Sequence, residues 1–405
     1  MSLDTPLDRQ DSPQILRRLA APVLTRAMAR LTIGQVTVEL PDGTSQTHVA
    51  LTDGPHGVLI LRRWRALWRL VTGGDIAFAE AYADGDWSSP DLPALLELAA
   101  RNIAGLDAAL GGTLPARALN WIKHRRRANT RTGSRRNIMA HYDLGNDFYA
   151  LWLDPGMAYS SALYEDAGQT LEAAQDAKLD RILRLMDLSG QEKVLEIGCG
   201  WGGLAEKVAR RGCHITGLTL SPAQLAAAQD RLIEADLGSR ADLRLQDYRD
   251  VTGTYDRIVS IEMLEAVGER YWPLYFRTLR QRLAPDGIAV LQVITIDDAR
   301  FDRYRREVDF IQRHVFPGGM LPSPGRLAKE AAAAGLSLET ALTFGDSYAR
   351  TLEEWRRRFH AAWPAIQAQG FPVRFQRLWD YYLAYCEAGF RAGVIDVGLY
   401  RLRPS

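Results

Sequence analysis

The sequence predicts an α/β fold, a doubly wound parallel sheet with helices on both faces, preceded by a small N-terminal α+β domain. Two observations carry this. From Ile182 onward the pattern reads helix, strand, helix, strand, repeatedly, the alternation that builds a parallel sheet. Within it, the apolar run Val194–Ile197 leads into Gly198-Cys199-Gly200-Trp201-Gly202-Gly203 and then a helix from about Leu204, a strand–glycine-loop–helix unit.

The elements follow in order. Residues 1 to about 15 are polar and frayed. In Ile15–Arg101, Gln35–Leu40 alternates as a strand does, Pro41-Asp42-Gly43 is a turn, and a second strand is expected near Thr47–Leu51. Gly57–Val71 mixes apolar residues with Arg and Trp, and Pro93–Asn102 is an amphipathic helix. His214–Leu218 is the second strand of the large sheet, and Ser221-Pro222 supplies an N-cap with proline at the first helical position. Further strands are expected at Leu243–Leu245, Arg257–Ile261 and Gly287–Val293. Trp355–Phe390 is helical and aromatic, and a last strand near Val397–Leu402 pairs at an antiparallel end of the sheet. The expected boundaries are an N-terminal domain over 1–110, a basic linker over 111–136 and a catalytic domain over 137–405.

Composition narrows the function. Lys and Arg (50) nearly cancel Asp and Glu (49), so no global charge draws the chain to nucleic acid. The three cysteines, Cys199, Cys213 and Cys386, are scattered, which argues against a disulfide framework or a metal site. No signal pattern opens the chain and no apolar run reaches the ~18 residues of a membrane span. A cytoplasmic protein is expected, meeting a membrane only from its surface. The run Lys123-His124-Arg125-Arg126-Arg127, with Arg131, Arg135 and Arg136 behind it, reads as a solvated linker or as a patch for an anionic membrane surface.

The glycine loop alone fits several cofactors. Glu196 stands two residues before its first glycine, where a carboxylate can face the positively charged amino-acid end of S-adenosylmethionine. A dinucleotide site would place an acid about 20 residues on, for the ribose. That position reads Gly217-Leu218-Thr219-Leu220, without an acid. The methyl donor is the better fit.

Other segments carry a family resemblance. His141-Tyr142-Asp143-Leu144-Gly145-Asn146-Asp147-Phe148-Tyr149, Leu153-Asp154-Pro155 and Tyr159-Ser160-Ser161-Ala162 resemble the entry segment of cyclopropane fatty acid and mycolic acid cyclopropane synthases. So do Gln246-Asp247-Tyr248-Arg249-Asp250, Phe316-Pro317-Gly318-Gly319, and Tyr348 with Thr351-Leu352. The likeness is ordered from about Arg136 to the end. Before that, only Phe78–Trp87 resembles the bacterial phospholipid enzymes.

The resemblance implies a class I methyltransferase domain, Rossmann-like with an antiparallel end strand and a helical cover. It implies that Tyr142, Tyr159 and Ser160 close over the methionine end of the cofactor, above Gly198, Gly200 and Gly202. Thr219, Leu220 and Gln224 would meet the ribose, with Gln246 and Tyr248 flanking the adenine; His141 would be structural. In this family a bound bicarbonate ion is thought to act as base. Mapped here, its holders are Glu265, Tyr348 and the backbone of Ile294, with Ser161 where the family has Cys and Gln292 where it has His. Both replacements can still donate to an anion, but loss of an ionisable His changes how its charge is balanced.

The implied reaction is methylation of a cis double bond in a phospholipid acyl chain. An alkene is a weak nucleophile, so the donor must be strongly electrophilic, and the resulting carbocation needs a dry pocket and a base. Proton loss from the new methyl closes a cyclopropane. Ser161 and Gln292 keep open a fatty acid methylase that gives methylene- or methyl-branched chains, in some relatives with a partner reductase. From other classes come a non-catalytic lipid- or cofactor-binding paralogue and a small-molecule methyltransferase. The resemblance further implies peripheral association with the inner face of the membrane and admits a homodimer. Arg303, Arg305, Arg306 and Arg313 are headgroup candidates or plain surface charges; Trp64, Trp68, Arg62, Arg63 and Arg65 are interfacial candidates or core and rim.

Overall fold

The computed structural model describes residues 14–110 and 144–405. Two compact units emerge: Met1–Trp121 with Gln367–Ala392, and Ile122–Ile366 with Gly393–Ser405. The 367–392 segment, which the sequence reading left in the catalytic domain, therefore belongs with the N-terminal unit. The basic run 123–136, His141 and Tyr142 lie outside the described residues.

The first unit holds a four-stranded sheet in the order β2-β1-β3-β4, built from β1 (Ile33–Glu39), β2 (Ser45–Val49), β3 (Thr52–Leu61) and β4 (Trp87–Ser88). Val36 and Val38 of β1 are buried while Gln35 and Thr37 are only partly covered, the period-2 pattern of a one-sided sheet. Gly43, at φ +84°, closes the turn into β2, and Asp42 Oδ1 accepts from Thr44 N at 3.1 Å. Arg65–Ala83 meets β4, Leu92–Arg101 packs on β1 and β3, and Val373–Arg391 packs on both of these helices. Asp91 caps the second by accepting from Ala94 N, with Pro93 in the first turn. Tyr82 donates to Asp380 at 2.6 Å in a buried contact, tying the C-terminal helix to the first.

Trp64 is buried, and Arg63 and Arg65 both hold the buried Asp86, at 3.1 and 2.7 Å. Trp64 is thus core and the two arginines are rim charges paired to Asp86; Trp68 remains exposed.

The second unit carries a seven-stranded sheet in the order β10-β11-β9-β8-β5-β6-β7. Its strands are β5 (Lys193–Ile197), β6 (His214–Thr219), β7 (Ala241–Leu245), β8 (Tyr255–Ile261), β9 (Leu283–Ile296), β10 (Leu336–Thr343) and β11 (Ile395–Pro404). β5 to β9 pair in parallel, and β11 runs antiparallel to both β9 and β10. The expected strands are all present. The antiparallel end contains one strand more than expected, because β10 lies outside β11 at the edge. The strand order reverses between β5 and β8, so the carboxyl ends of β5 and β8 open a crevice at the switch point.

Asn102 offers a sharp test of the first unit. Its Oδ1 accepts from Thr32 N (2.8 Å) and Ile33 N (3.1 Å), and its Nδ2 donates to Ile33 O and Leu98 O (both 2.9 Å). The side chain thus stitches the start of β1 to a helix end. Asn102→Ala leaves these part-buried amides without their side-chain partner and should destabilise the unit by about 1–2 kcal/mol. Native-state hydrogen exchange at Thr32 and Ile33 reads this directly; unchanged protection there would rule the argument out.

Candidate active site

The glycine loop stands at the carboxyl end of β5. Gly198, Gly200 and Gly202 have φ of +88°, +52° and +83°, left-handed values that glycine adopts without a Cβ penalty. The amides of Gly198 and Cys199 both donate to Leu218 O at 2.9 Å, pinning the loop to β6. Among the described residues nothing lies within 4 Å of a Cβ built on Gly200, whereas one on Gly198 would meet Met263 Cγ at 3.2 Å, so the loop abuts the turn after β8. The helix Gly203–Arg210 begins directly behind it.

Glu196 is buried beneath this loop, and its Oε2 has no hydrogen-bond partner among the described residues. Burial pushes its carboxyl up to about 8, against the pull of Lys178. Lys178 is itself fully buried; desolvation brings its amine down to about 8 although Glu262, Asp154 and Glu196 favour the charged form. Its Nζ donates to Ser160 Oγ at 2.9 Å. An unpartnered buried acid beside a glycine cradle suits a ligand with a cationic end, so the residues present fit S-adenosylmethionine.

Other expected cofactor residues gather nearby. Thr219 Oγ1 donates to Gln224 Oε1 at 3.0 Å, and Gln246 N donates to Thr219 O at 3.1 Å. Thr219 and Gln246 lie at the ends of β6 and β7, Leu220 follows β6, and Gln224 lies in the first turn of the helix Pro222–Glu234. Tyr248 behaves differently: its ring is buried in the core, edge-on to Tyr275 at 5.4 Å. The Tyr159 ring packs at 5.3 Å from both Tyr149 and Trp355. Tyr149 in turn lies 5.3 Å from Trp201 of the glycine loop, and Trp355 lies 6.2 Å from Tyr348. An aromatic layer thus runs from the glycine loop to the second centre of the site.

That centre is built on Glu262, the residue after β8, which the sequence reading missed. Glu262 N donates to Gln292 O at 2.8 Å, continuing the β8–β9 pairing beyond the strand. Its carboxylate accepts from Tyr348 Oη (2.6 Å), Gln292 Nε2 (2.7 Å) and Ser161 N (2.9 Å). Ser161 Oγ turns instead to Ala162 O. The Tyr159–Leu163 segment is held against the helix Gly345–Ala368 by Ala162 N donating to Thr351 Oγ1 at 3.1 Å.

Glu265 lies one turn on. It accepts from Ile294 N at 2.5 Å, while its Oε2 is buried without a hydrogen-bond partner among the described residues. Burial first, and the Glu262 charge second, push its carboxyl up to about 8. Glu262 is also raised by burial, but three donors and Lys178 oppose the shift. Two neighbouring carboxyls do not both ionise readily. Three donors face Glu262 and one faces Glu265, so the hydrogen-bonding geometry favours negative charge on Glu262 over Glu265.

The five residues expected to surround bicarbonate separate accordingly. Ile294 serves Glu265, while Ser161, Gln292 and Tyr348 point at Glu262. Their donors are already taken by a carboxylate of the chain itself, and this set does not fit a separate bicarbonate. A glutamate closing a buried strand just before Met263-Leu264-Glu265 was the available sequence signal; nothing in its spacing says which side chains would reach it.

Residues 129–399 match the family described as mycolic acid cyclopropane synthetase. The tuberculostearic acid methyltransferase UfaA1 of Mycobacterium tuberculosis is 39% identical over 84% of this chain and 81% of its own. The cyclopropane-fatty-acyl-phospholipid synthase of Escherichia coli K12 is 37% identical over 81% of this chain and 83% of its own. Among solved structures, the mycolic acid cyclopropane synthase CmaA1 complexed with SAH and CTAB superposes with a TM-score of 0.61. It is 30% identical, covering 66% of this chain and 97% of that one. With the strand order of a class I methyltransferase and a matched family segment spanning the whole site, the chain belongs to the mycolic acid cyclopropane synthetase family of S-adenosylmethionine-dependent enzymes.

Proposed function

We propose that this enzyme methylates a cis double bond in a phospholipid acyl chain and releases a cyclopropane fatty acyl product. The observation that carries this reading is the aromatic layer Trp201–Tyr149–Tyr159–Trp355–Tyr348 between the glycine loop and the paired carboxyls. Aromatic faces stabilise a cation and exclude the water that would trap it.

S-adenosylmethionine supplies an electrophilic methyl to such a site. Glu196 meets its cationic amino group, the backbone of Gly198, Gly200 and Gly202 gives it room, and Tyr159 and Ser160 cover its methionine end. Thr219, Leu220, Gln224 and Gln246 receive the ribose and adenine, with Tyr248 supporting that wall from the core. Tyr142 is proposed for the same cover as Tyr159.

A phospholipid substrate is supported by the phospholipid synthase named among the relatives. No helix among the described residues is long and apolar enough to cross a membrane. We propose, from the phospholipid synthase among the relatives, that the acyl chain is taken from the cytoplasmic membrane surface. Arg305 is paired with Glu269 at 2.6 Å, which leaves it a weaker headgroup candidate than the basic run 123–136. A branched product is the second reading, favoured by the tuberculostearic acid methyltransferase among the relatives; a partner reductase would then complete the saturated branch.

Pure enzyme, the methyl donor and vesicles of cis-monounsaturated phospholipid decide between the products. Proton spectra of the recovered acyl chains should show high-field ring protons. Vinylic =CH₂ signals would give the assignment to the branching reading, and unmodified chains would remove both. Glu196→Gln should weaken binding of S-adenosylmethionine about tenfold by calorimetry, a loss of about 1.4 kcal/mol. Unchanged affinity would detach Glu196 from the cofactor.

A further inference from the structure

Resting on the methyl transfer just proposed, we propose that Glu262 is the catalytic base, a carboxylate of the chain standing where a bound bicarbonate would otherwise be needed. Three observations converge on it. Its carboxylate collects the Tyr348 hydroxyl, the Gln292 amide and the Ser161 N–H within 2.9 Å, so two side-chain donors expected to hold a diffusible anion, and the backbone of a third residue expected there, hold this side chain. Its backbone sits at φ +48°, a left-handed value that costs a side-chain-bearing residue about 1 kcal/mol or more and is tolerated where function fixes it. Finally, it adjoins Met263, whose side chain faces the Gly198 position of the glycine loop, placing the acid beside the methyl donor's cradle.

The replacements at 161 and 292 follow from the same arrangement. A covalently anchored carboxylate brings a single negative charge, and Gln292 offers it an N–H at every pH. Ser161 contributes through its backbone, so its side chain is released from anion binding.

The alkene π pair forms the new C–C bond to the transferred methyl; the C–S bond breaks and its electrons stay on sulfur as a neutral thioether. The acyl chain carries the positive charge. Glu262 takes a proton from the new methyl, and the electron pair of that C–H bond closes the ring. The neutral Glu262 then returns its proton to solvent, so each turnover releases one proton and no redox partner takes part.

The test uses the full-length enzyme in carbon-dioxide-stripped and bicarbonate-supplemented buffer. Wild type should turn over equally in both and should leave the ¹³C signal of labelled bicarbonate unshifted and unbroadened. Glu262→Gln, which keeps the shape but not the basicity, should lower kcat by on the order of 10²- to 10⁴-fold, with KM nearly unchanged. Glu262→Gly suits the left-handed backbone, so it should fold; it should be inactive in stripped buffer, bind labelled bicarbonate and regain activity severalfold when bicarbonate is added. The proposal is overturned if wild type requires or binds bicarbonate, if Glu262→Gln keeps its rate, or if Glu262→Gly turns over in stripped buffer. Should wild type transfer no methyl to any cis-unsaturated phospholipid, the reaction falls and the base assignment with it. The bicarbonate-binding arm would still show whether Glu262 fills the anion site.

Discussion

The catalytic unit is organised by one hydrogen-bonded carboxylate. Glu262 draws donors from the Tyr159–Leu163 segment, from the middle of β9 and from the helix Gly345–Ala368, while its own amide is held by β9. Four stretches distant in sequence thereby meet at one side chain. A partly desolvated charge with three donors is tolerable; with one donor removed it becomes a costly group. The position of each surrounding residue is consequently set by an electrostatic requirement as much as by packing.

The other ionisable groups of the centre settle around that anion. Lys178, buried behind Ser160, supplies the nearby positive charge, and burial and the Glu262 charge push the Glu265 carboxyl up. Glu196 lies in a third buried position, where no side chain among the described residues satisfies its second oxygen. The site thus holds like groups in three environments: a carboxyl ringed by three donors, one raised by burial and a neighbouring acid, and one whose second oxygen meets no donor among the described residues. Such divergent environments for like groups are how one fold assigns different tasks to identical chemistry.

The N-terminal unit relies on different forces. Its sheet leans on buried Trp87, stacked on Phe78 at 4.4 Å, and on polar ties that each satisfy several partners, Asn102 and Asp86 foremost. Its closing helix arrives from the far end of the chain, bound through Tyr82 and Asp380. A segment of 26 residues returning to an N-terminal unit leaves no local trace, since amphipathic helices look alike whichever core they cover.

By itself the sequence determined the α/β class, the glycine loop, the identity of its ligand class and all the parallel strands, because periodicity, glycine punctuation and a misplaced or missing acid are local properties. It also named Ser161, Gln292, Tyr348, Glu265 and Ile294 as neighbours, through resemblance to a family. β10 escaped because an edge strand is half exposed and alternates weakly. Only the tertiary structure decided which carboxylate those residues serve. Glu262 and Glu265 are three positions apart on one turn, and which of them turns toward the donors depends on the left-handed backbone at 262 and on where β9 and the Gly345–Ala368 helix bring Gln292 and Tyr348. Those are long-range facts of packing, and no window of neighbouring residues contains them.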